Sequence, residues 1–171
     1  MSGSPVVVIG YGNPSRGDDA LGPEFIERIE TCRDKGELPP TFDTLTDFQL
    51  QIEHALDLQE RQLVLFVDAG ISATPPFEFT ELRPMRDQSH STHAISPAAV
   101  LEVFSRINGE SPPPAFLLTI PGYGFELGSP LSPESQNHLL AAIDLLKQLL
   151  RKPDVAHWRQ HSATNSCSAA S

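Results

Sequence analysis

The stretch that decides the fold is VVVIGYGNPSRGDDALGPEF, residues Val6–Phe25. Its apolar, mostly β-branched start, Val6–Ile9, is typical of a strand buried on both faces of a sheet. A glycine-containing turn follows, and Gly22–Glu24 begins a helix with proline at its first position. Strand, glycine turn and helix in that order often bind a phosphate, yet this turn ends in two adjacent carboxylates, Asp18 and Asp19.

Neither of the two common phosphate-binding loops matches this turn. The dinucleotide fingerprint needs a third glycine, and counting on from Gly10 and Gly12 that position holds Ser15. Gly12 and Gly17 have the spacing of a P-loop, but Asp18 stands where its lysine belongs. Each carboxylate about 4–5 Å from a phosphate would cost about 3–4 kcal/mol at an effective dielectric of about 20. The acids therefore either favour the start of the following helix, through the helix dipole, or face a cation.

Strands and helices alternate along the rest of the chain, which predicts a layered α/β fold with a mainly parallel sheet. Four strands are expected after the first, at Thr41–Leu45, Leu63–Val67, Phe77–Leu82 and Ala115–Ile120, the third of them at an edge. Helices are expected over Gln49–Gln59, from Pro97 and from Pro133. Apolar residues at helical spacing should face inward, namely Ile52, Ala55 and Leu56, then Val100, Val103, Phe104 and Ile107, then Leu139, Ile143, Leu146 and Leu150.

Length and composition restrict the class of protein. A chain of 171 residues predicts one domain, over residues 1–153, and the polar residues 154–171 predict a disordered tail. The net charge of −10 argues against nucleic acid and anionic membranes as partners. We expect a cytoplasmic protein, because no apolar run approaches the roughly 20 residues of a membrane span and MSGSP is not the start of a signal peptide. A monomer is expected because coiled-coil heptads are absent.

Three side chains from separate segments are expected at one edge of the sheet. Asp68 directly follows the buried run LVLFV, and ligands of parallel sheets bind outside the carboxyl ends of strands. The same rule selects the turn with Asp19, and His93 lies three residues before the helix cap Ser96. Singly, Asp68 could cap a helix, His93 could be solvated, and His90 with His93 is a weak zinc signal. Together, Asp19, Asp68 and His93 form an incomplete shell for a borderline divalent ion, which would explain the acidic turn.

Four segments in the same order resemble the maturation endopeptidases of [NiFe]-hydrogenases, over roughly residues 5–150. They are GYGNPSRGDDALG (10–22), FVDAG (66–70), THAISPAAVLEVF (92–104) and IPGYGFELGSPLSPESQNHL (120–139). A fifth segment, FQLQIEHALDL (48–58), resembles the branch serving soluble bidirectional hydrogenases. The resemblance implies a three-layer αβα fold, with a twisted sheet of about five strands between helices.

The resemblance also implies an activity. Such enzymes remove a C-terminal extension from the hydrogenase large-subunit precursor after nickel insertion, so nickel would arrive with the substrate. The residues implied to contact the metal are Asp19, Asp68 and His93, whereas Gly10, Gly12, Asn13, Gly17 and Asp18 would shape the loop. The nickel, or a water bound to it, could polarise the scissile carbonyl group or supply the nucleophile, and a carboxylate that the metal leaves free could act as general base.

Two other functions remain open at this point. One is a nucleotide-binding module that uses the glycine turn. The other is a non-catalytic chaperone or scaffold that binds the nickel-loaded precursor and leaves its C-terminus uncut. A cysteine protease is disfavoured, because Cys32 lies on the apolar face of a predicted helix.

Overall fold

The computed structural model describes residues 3–86 and 94–170, and their side chains as far as residue 162. It contains a five-stranded sheet whose strands follow one another in space as β2, β1, β3, β5 and β4. The strands are β1 (Val6–Tyr11), β2 (Phe42–Asp47), β3 (Leu63–Gly70), β4 (Glu78–Leu82) and β5 (Ala115–Pro121). Four of them run parallel, and only the edge strand β4 pairs antiparallel, with β5. The predicted α/β fold with a mostly parallel five-stranded sheet is confirmed.

Helices cover both faces of the sheet. The α-helices are α1 (Leu21–Asp34), α2 (Pro97–Asn108), α3 (Pro133–Arg151) and α4 (Val155–Ala170), and two 3₁₀ helices span Gly17–Ala20 and Ile52–Leu58. Alternate side chains of β1 enter different cores, as the period of two in a strand requires. Val6 and Val8 pack with α1 and α3, whereas Val7 and Ile9 pack with α2 and the second 3₁₀ helix. The result is the three-layer arrangement that the family resemblance implies.

The segment predicted as the helix Gln49–Gln59 differs from expectation. It is a 3₁₀ helix over Ile52–Leu58, whose three residues per turn bring Ala55 and Leu58 to the same buried side. Leu56, which the α-helical period turned inward, is 55% exposed, and Ile52 at the first position is 57% exposed. In α2, Ile107 is likewise exposed, whereas the predicted inward residues of α3 are buried.

The prediction of a disordered tail at residues 154–171 is wrong for the part of this segment that the structure describes. Helix α4 occupies most of this segment and packs against β4. Trp158 is fully buried, donates a hydrogen bond from Nε1 to the Leu149 carbonyl oxygen at 3.0 Å, and contacts the Phe116 ring edge-on. One large aromatic side chain thus supplies the apolar burial that the average composition of the segment concealed.

Across residues 3–86 and 94–170, the structure contains no helix with the length and apolar character needed to cross a membrane.

Candidate active site

The carboxyl ends of β1, β3 and β5 meet at one edge of the sheet. Val67 of β3 pairs with Gly10 near the end of β1, and the next residue, Asp68, pairs with Thr119 of β5. β3 itself continues to Gly70, so Asp68 lies inside the strand rather than just after it. The register therefore places Asp68 beside the turn that follows β1.

Asp19 lies in the 3₁₀ turn before α1 and is held against the preceding loop. Its Oδ2 accepts a hydrogen bond from the Asn13 backbone N–H at 2.9 Å, and its own N–H donates to the Arg16 carbonyl at 3.0 Å. Gly12 has a φ of +145°, and a Cβ there would collide with the Asp19 carbonyl oxygen. Only glycine allows this approach, so the glycine turn positions a carboxylate.

Asp68 is a partly buried carboxyl group with too few hydrogen bonds to offset its burial. Its Oδ1 accepts from the Ala69 N–H at 2.8 Å, and the Tyr11 hydroxyl donates to the same carboxyl group. Burial raises the pKa of Asp68 to about 6, the charge of Asp19 adds to the rise, and the two hydrogen bonds reduce it only in part. Burial, followed by the charge of Asp68, also raises the pKa of Tyr11 well above its usual value, which keeps the phenol a donor. Asp68 can therefore exchange a proton close to neutral pH.

Asp18, although adjacent to Asp19, joins the turn after β1 to the segment between β5 and α3. It is 0% exposed and accepts four hydrogen bonds, from Tyr123 N at 2.7 Å, Gly124 N at 3.1 Å, Ser132 N at 2.8 Å and Ser132 Oγ at 2.8 Å. Burial alone would raise the pKa of Asp18, but these four donors outweigh it and lower the pKa. Asp18 is therefore held ionised as a structural anchor, which agrees with its predicted part in shaping the loop.

Gly17 and Asn13 complete the turn. Gly17 has a φ of +53°, and a Cβ there would collide with the Gly124 carbonyl oxygen, while its N–H donates to the Ser129 carbonyl at 3.1 Å. The Asn13 side chain accepts from the Ser15 N–H at 2.9 Å. The turn after β1 is thus fixed by the segment between β5 and α3.

Sequence reasoning missed two contributors to this site. Tyr11 falls in the sequence within the glycine turn after the predicted strand Val6–Ile9, whereas β1 extends to Tyr11 and its hydroxyl reaches Asp68. Ser132 reads as the cap of α3, and it does accept from Ser135 N at 3.3 Å, but its Oγ also donates to Asp18. A strand that ends in tyrosine next to a loop rich in polar residues was the available signal for the first, whereas the second depends on a long-range contact.

His93 and His90 lie outside the described residues, so the predicted meeting of His93 with the two acids stays a prediction. The chain is described again from Ala94, and Ile95 packs into the core beside α2. Ser96 caps α2 as predicted, because its Oγ accepts from Ala99 N at 3.1 Å. Within residues 3–86 and 94–170, no group of three or more histidine, cysteine, aspartate or glutamate side chains is arranged to hold a metal ion.

A cleft of about 300 Å³ opens at the same edge, between the ends of β1 and β2. Its walls include Gly12, which contacts Asp19, and Phe48, whose side chain is exposed. Neither Asp19 nor Asp68 lines this cleft, so it adjoins the acidic edge through Gly12 and does not itself contain the two carboxylates.

The fold is similar to that of several known proteins. No protein-family model matches the chain, and no curated protein matches it in sequence. Solved structures do match. The [NiFe]-hydrogenase maturation protease HycI of Thermococcus kodakarensis superposes with a TM-score of 0.64 and 22% identity, over 88% of this chain and 96% of that one. The hydrogenase maturating endopeptidase HybD of E. coli superposes with a TM-score of 0.65 and 22% identity, over 86% and 93%. A hydrogenase 2 maturation peptidase from a Thaumarchaeota archaeon gives a TM-score of 0.58 and 22% identity, over 82% and 94%. The chain therefore has the fold of hydrogenase maturation proteases.

Proposed function

We propose that the chain is an endopeptidase that removes the C-terminal extension from the nickel-loaded precursor of a [NiFe]-hydrogenase large subunit. The observation that carries the proposal is Asp68, a partly buried carboxyl group at the carboxyl edge of the sheet with its pKa raised to about 6 and Asp19 beside it. The fold shared with hydrogenase maturation proteases supports the same activity. The branch serving soluble bidirectional hydrogenases remains a prediction from the segment at 48–58.

The substrate's own nickel would occupy the space that Asp19 and Asp68 face. The charge of Asp19 raises the pKa of Asp68 in the free protein, and a cation between the two groups would remove that repulsion. His93 would add a neutral imidazole to the same ion, which together with the two carboxylates makes a ligand set suited to a borderline divalent metal. A precursor without nickel would meet two uncompensated carboxylates, so the site would distinguish loaded from empty substrate.

The reaction is hydrolysis of one peptide bond by water. Water bound to the substrate's nickel is one candidate nucleophile, and water activated by Asp68 as general base is the other. Tyr11 donates to Asp68 and would orient that carboxylate in either case. Cys32 does not compete as a nucleophile, because burial first, and the neighbouring Glu37 second, raise the pKa of its thiol.

Mass spectrometry of the precursor before and after incubation tests the proposal. Nickel-loaded precursor should lose the mass of a C-terminal peptide, whereas nickel-free precursor and a reaction with the Asp68→Asn variant should keep their full mass. A loaded precursor that binds the protein and stays uncut would overturn the proposal and support the scaffold function instead.

Isothermal titration with NAD(P) and with ATP tests the nucleotide-binding alternative. We expect no binding, because Asp18 and Asp19 occupy the turn, and the Asp19 side chain accepts one hydrogen bond where that of Asp18 accepts four, so the Asp19 carboxylate would repel a phosphate. Heat of binding that is lost on replacement of Gly12 would favour a nucleotide module.

A further inference from the structure

Two histidines lie on one face of α4, outside the candidate active site. His157 and His161 are four residues apart, so the helix places them one above the other, at the spacing of helical zinc-binding pairs. Their ring centres are 4.8 Å apart, with the planes at 87°. Two imidazoles that share an ion at about 2.0–2.1 Å from one nitrogen of each would have ring centres about 4.5–5 Å apart. The distance between the two ring centres in the structure falls within this range.

The tautomer of His157 is fixed by a backbone carbonyl. His157 Nε2 lies 3.1 Å from the Gln148 carbonyl oxygen, and a carbonyl can only accept, so Nε2 must carry the proton. In the neutral ring, Nδ1 then offers a lone pair. Donation of the second ring N–H to a backbone carbonyl is the arrangement that orients most metal-binding histidines.

The first turns of α4 hold this pair on a rigid backbone. Asp154 caps the helix by accepting from the His157 N–H at 2.8 Å, and Trp158 is buried in the core. Arg159 makes three hydrogen bonds to the Glu81 carboxylate on β4, at 3.0–3.1 Å. His157 and His161 are themselves only partly buried, so an ion can reach them from solvent.

We propose that His157 and His161 form a surface site for a divalent transition-metal ion of the borderline class, such as Cu²⁺, Ni²⁺ or Zn²⁺. Imidazole nitrogen is the ligand that these ions share, and affinity should rise from Ni²⁺ to Cu²⁺. The proposal requires that rotation about χ2, a torsion with broad minima, aim a His161 ring nitrogen at the ion held by His157. Two protein ligands leave the remaining positions to water or to a ligand from another molecule.

The site is separate from the acidic edge. Trp158, next to His157, packs on Phe116 near the amino end of β5. Asp68 pairs with Thr119, toward the carboxyl end of the same strand. Asp154 is not counted as a third ligand, because no group of three or more histidine, cysteine, aspartate or glutamate side chains in the described part of the chain is arranged to hold a metal ion. The proposal therefore does not depend on the proposed peptidase activity.

Isothermal titration of tag-free protein with NiCl₂ and with CuCl₂ tests the proposal. Wild type and Asp68→Asn should both bind one equivalent that His161→Gln and His157→Gln each lose. His138→Gln, which removes a histidine of α3 paired with Tyr123, is the matched control and should keep that equivalent. Unchanged circular dichroism and melting temperature in the absence of metal show that the variants are folded.

Electron paramagnetic resonance of the Cu²⁺-loaded protein provides an independent readout. Hyperfine coupling to two nitrogens is expected in wild type and to fewer in His161→Gln. Metal binding that survives in both His157→Gln and His161→Gln, or that disappears only in Asp68→Asn, would overturn the proposal.

Discussion

Asp18 and Asp68 are two aspartates at the same end of the same sheet, and their surroundings make them opposites. Asp18 is completely buried, yet four donors from the segment between β5 and α3 keep its pKa low. Asp68 is only partly shielded from solvent, has two donors, and has its pKa raised to about 6, chiefly by burial. Burial alone therefore does not mark a carboxylate as functional. What distinguishes Asp68 is charge that the protein leaves uncompensated, which a cation from outside can neutralise.

The largest expected effect is on processing. Asp68→Asn should reduce cleavage of nickel-loaded precursor by about a thousandfold or more, the scale of a lost general base or metal contact, while the protein stays folded. Asp19→Ala and His93→Ala should also abolish cleavage, as measured by mass spectrometry of the precursor. Asp144→Asn, the same change at an exposed position of α3, is the control and should process at the wild-type rate. Full activity in His93→Ala would exclude that residue from the chemistry.

The second effect is on stability, and it belongs to Asp18. Asp18→Ala leaves three backbone N–H groups without their acceptor, those of Tyr123, Gly124 and Ser132, and we expect a loss of about 3–5 kcal/mol in the free energy of unfolding. Urea denaturation followed by circular dichroism measures it. If Asp18→Ala is as stable as wild type but inactive, the assignment of Asp18 to a structural role and not a catalytic one is wrong.

The third effect is also on the free energy of unfolding, but here removal of the carboxylate is expected to stabilise the fold. Because the folded state raises the pKa of Asp68, its stabilising contribution is complete below the unfolded pKa near 3.8 and is lost as pH rises through about 6. Above that pH the ionised group destabilises the fold by up to about 3 kcal/mol, from a rise of about two pKa units. Asp68→Asn should therefore be more stable than wild type at pH 8 and equal to it near pH 4, in urea titrations at both values. A loss of stability at pH 8 would make Asp68 a structural residue like Asp18.

The contrast between the two aspartates also marks how far the sequence could predict the site. Asp68 was predictable, since a run of five apolar residues that ends in a carboxylate fixes its place at the edge of a parallel sheet. The partners of Asp18 were not, because Tyr123 and Ser132 lie 105 and 114 residues away in sequence and local patterns carry no information on such contacts. Trp158 was missed for a related reason: one aromatic in a polar segment has no periodicity, and its burial depends on β4 and β5.

A fourth effect concerns acid. Processing should fall by at least about tenfold between about pH 8 and pH 5.5, because an imidazole with the ordinary pKa near 6.5 becomes protonated and stops acting as a ligand. Protonation of Asp68, whose pKa is about 6, acts in the same direction. Asp18 stays ionised throughout this range because its pKa is lowered. Protonation of Asp18 therefore does not unfold the protein and does not contribute to the fall in the processing rate. A flat rate over the range would contradict the assignment of His93 and Asp68.

The smallest effect tests whether the two acids of the edge sense each other. Asp19→Asn removes the negative charge that raises the pKa of Asp68, and its amide oxygen can still accept from the Asn13 N–H. The pKa of Asp68 should fall by less than about one unit, since the charge of Asp19 contributes less than burial does. Carbon-detected NMR titration of the Asp68 carboxyl carbon measures the shift, and Asp144→Asn should leave it unchanged. An unchanged pKa of Asp68 in Asp19→Asn would mean that the two carboxylates do not repel each other. Relief of that repulsion would then no longer support binding of one cation by both. A fall within the expected range would mean that the two carboxylates interact electrostatically, as two groups that bind a single metal ion must.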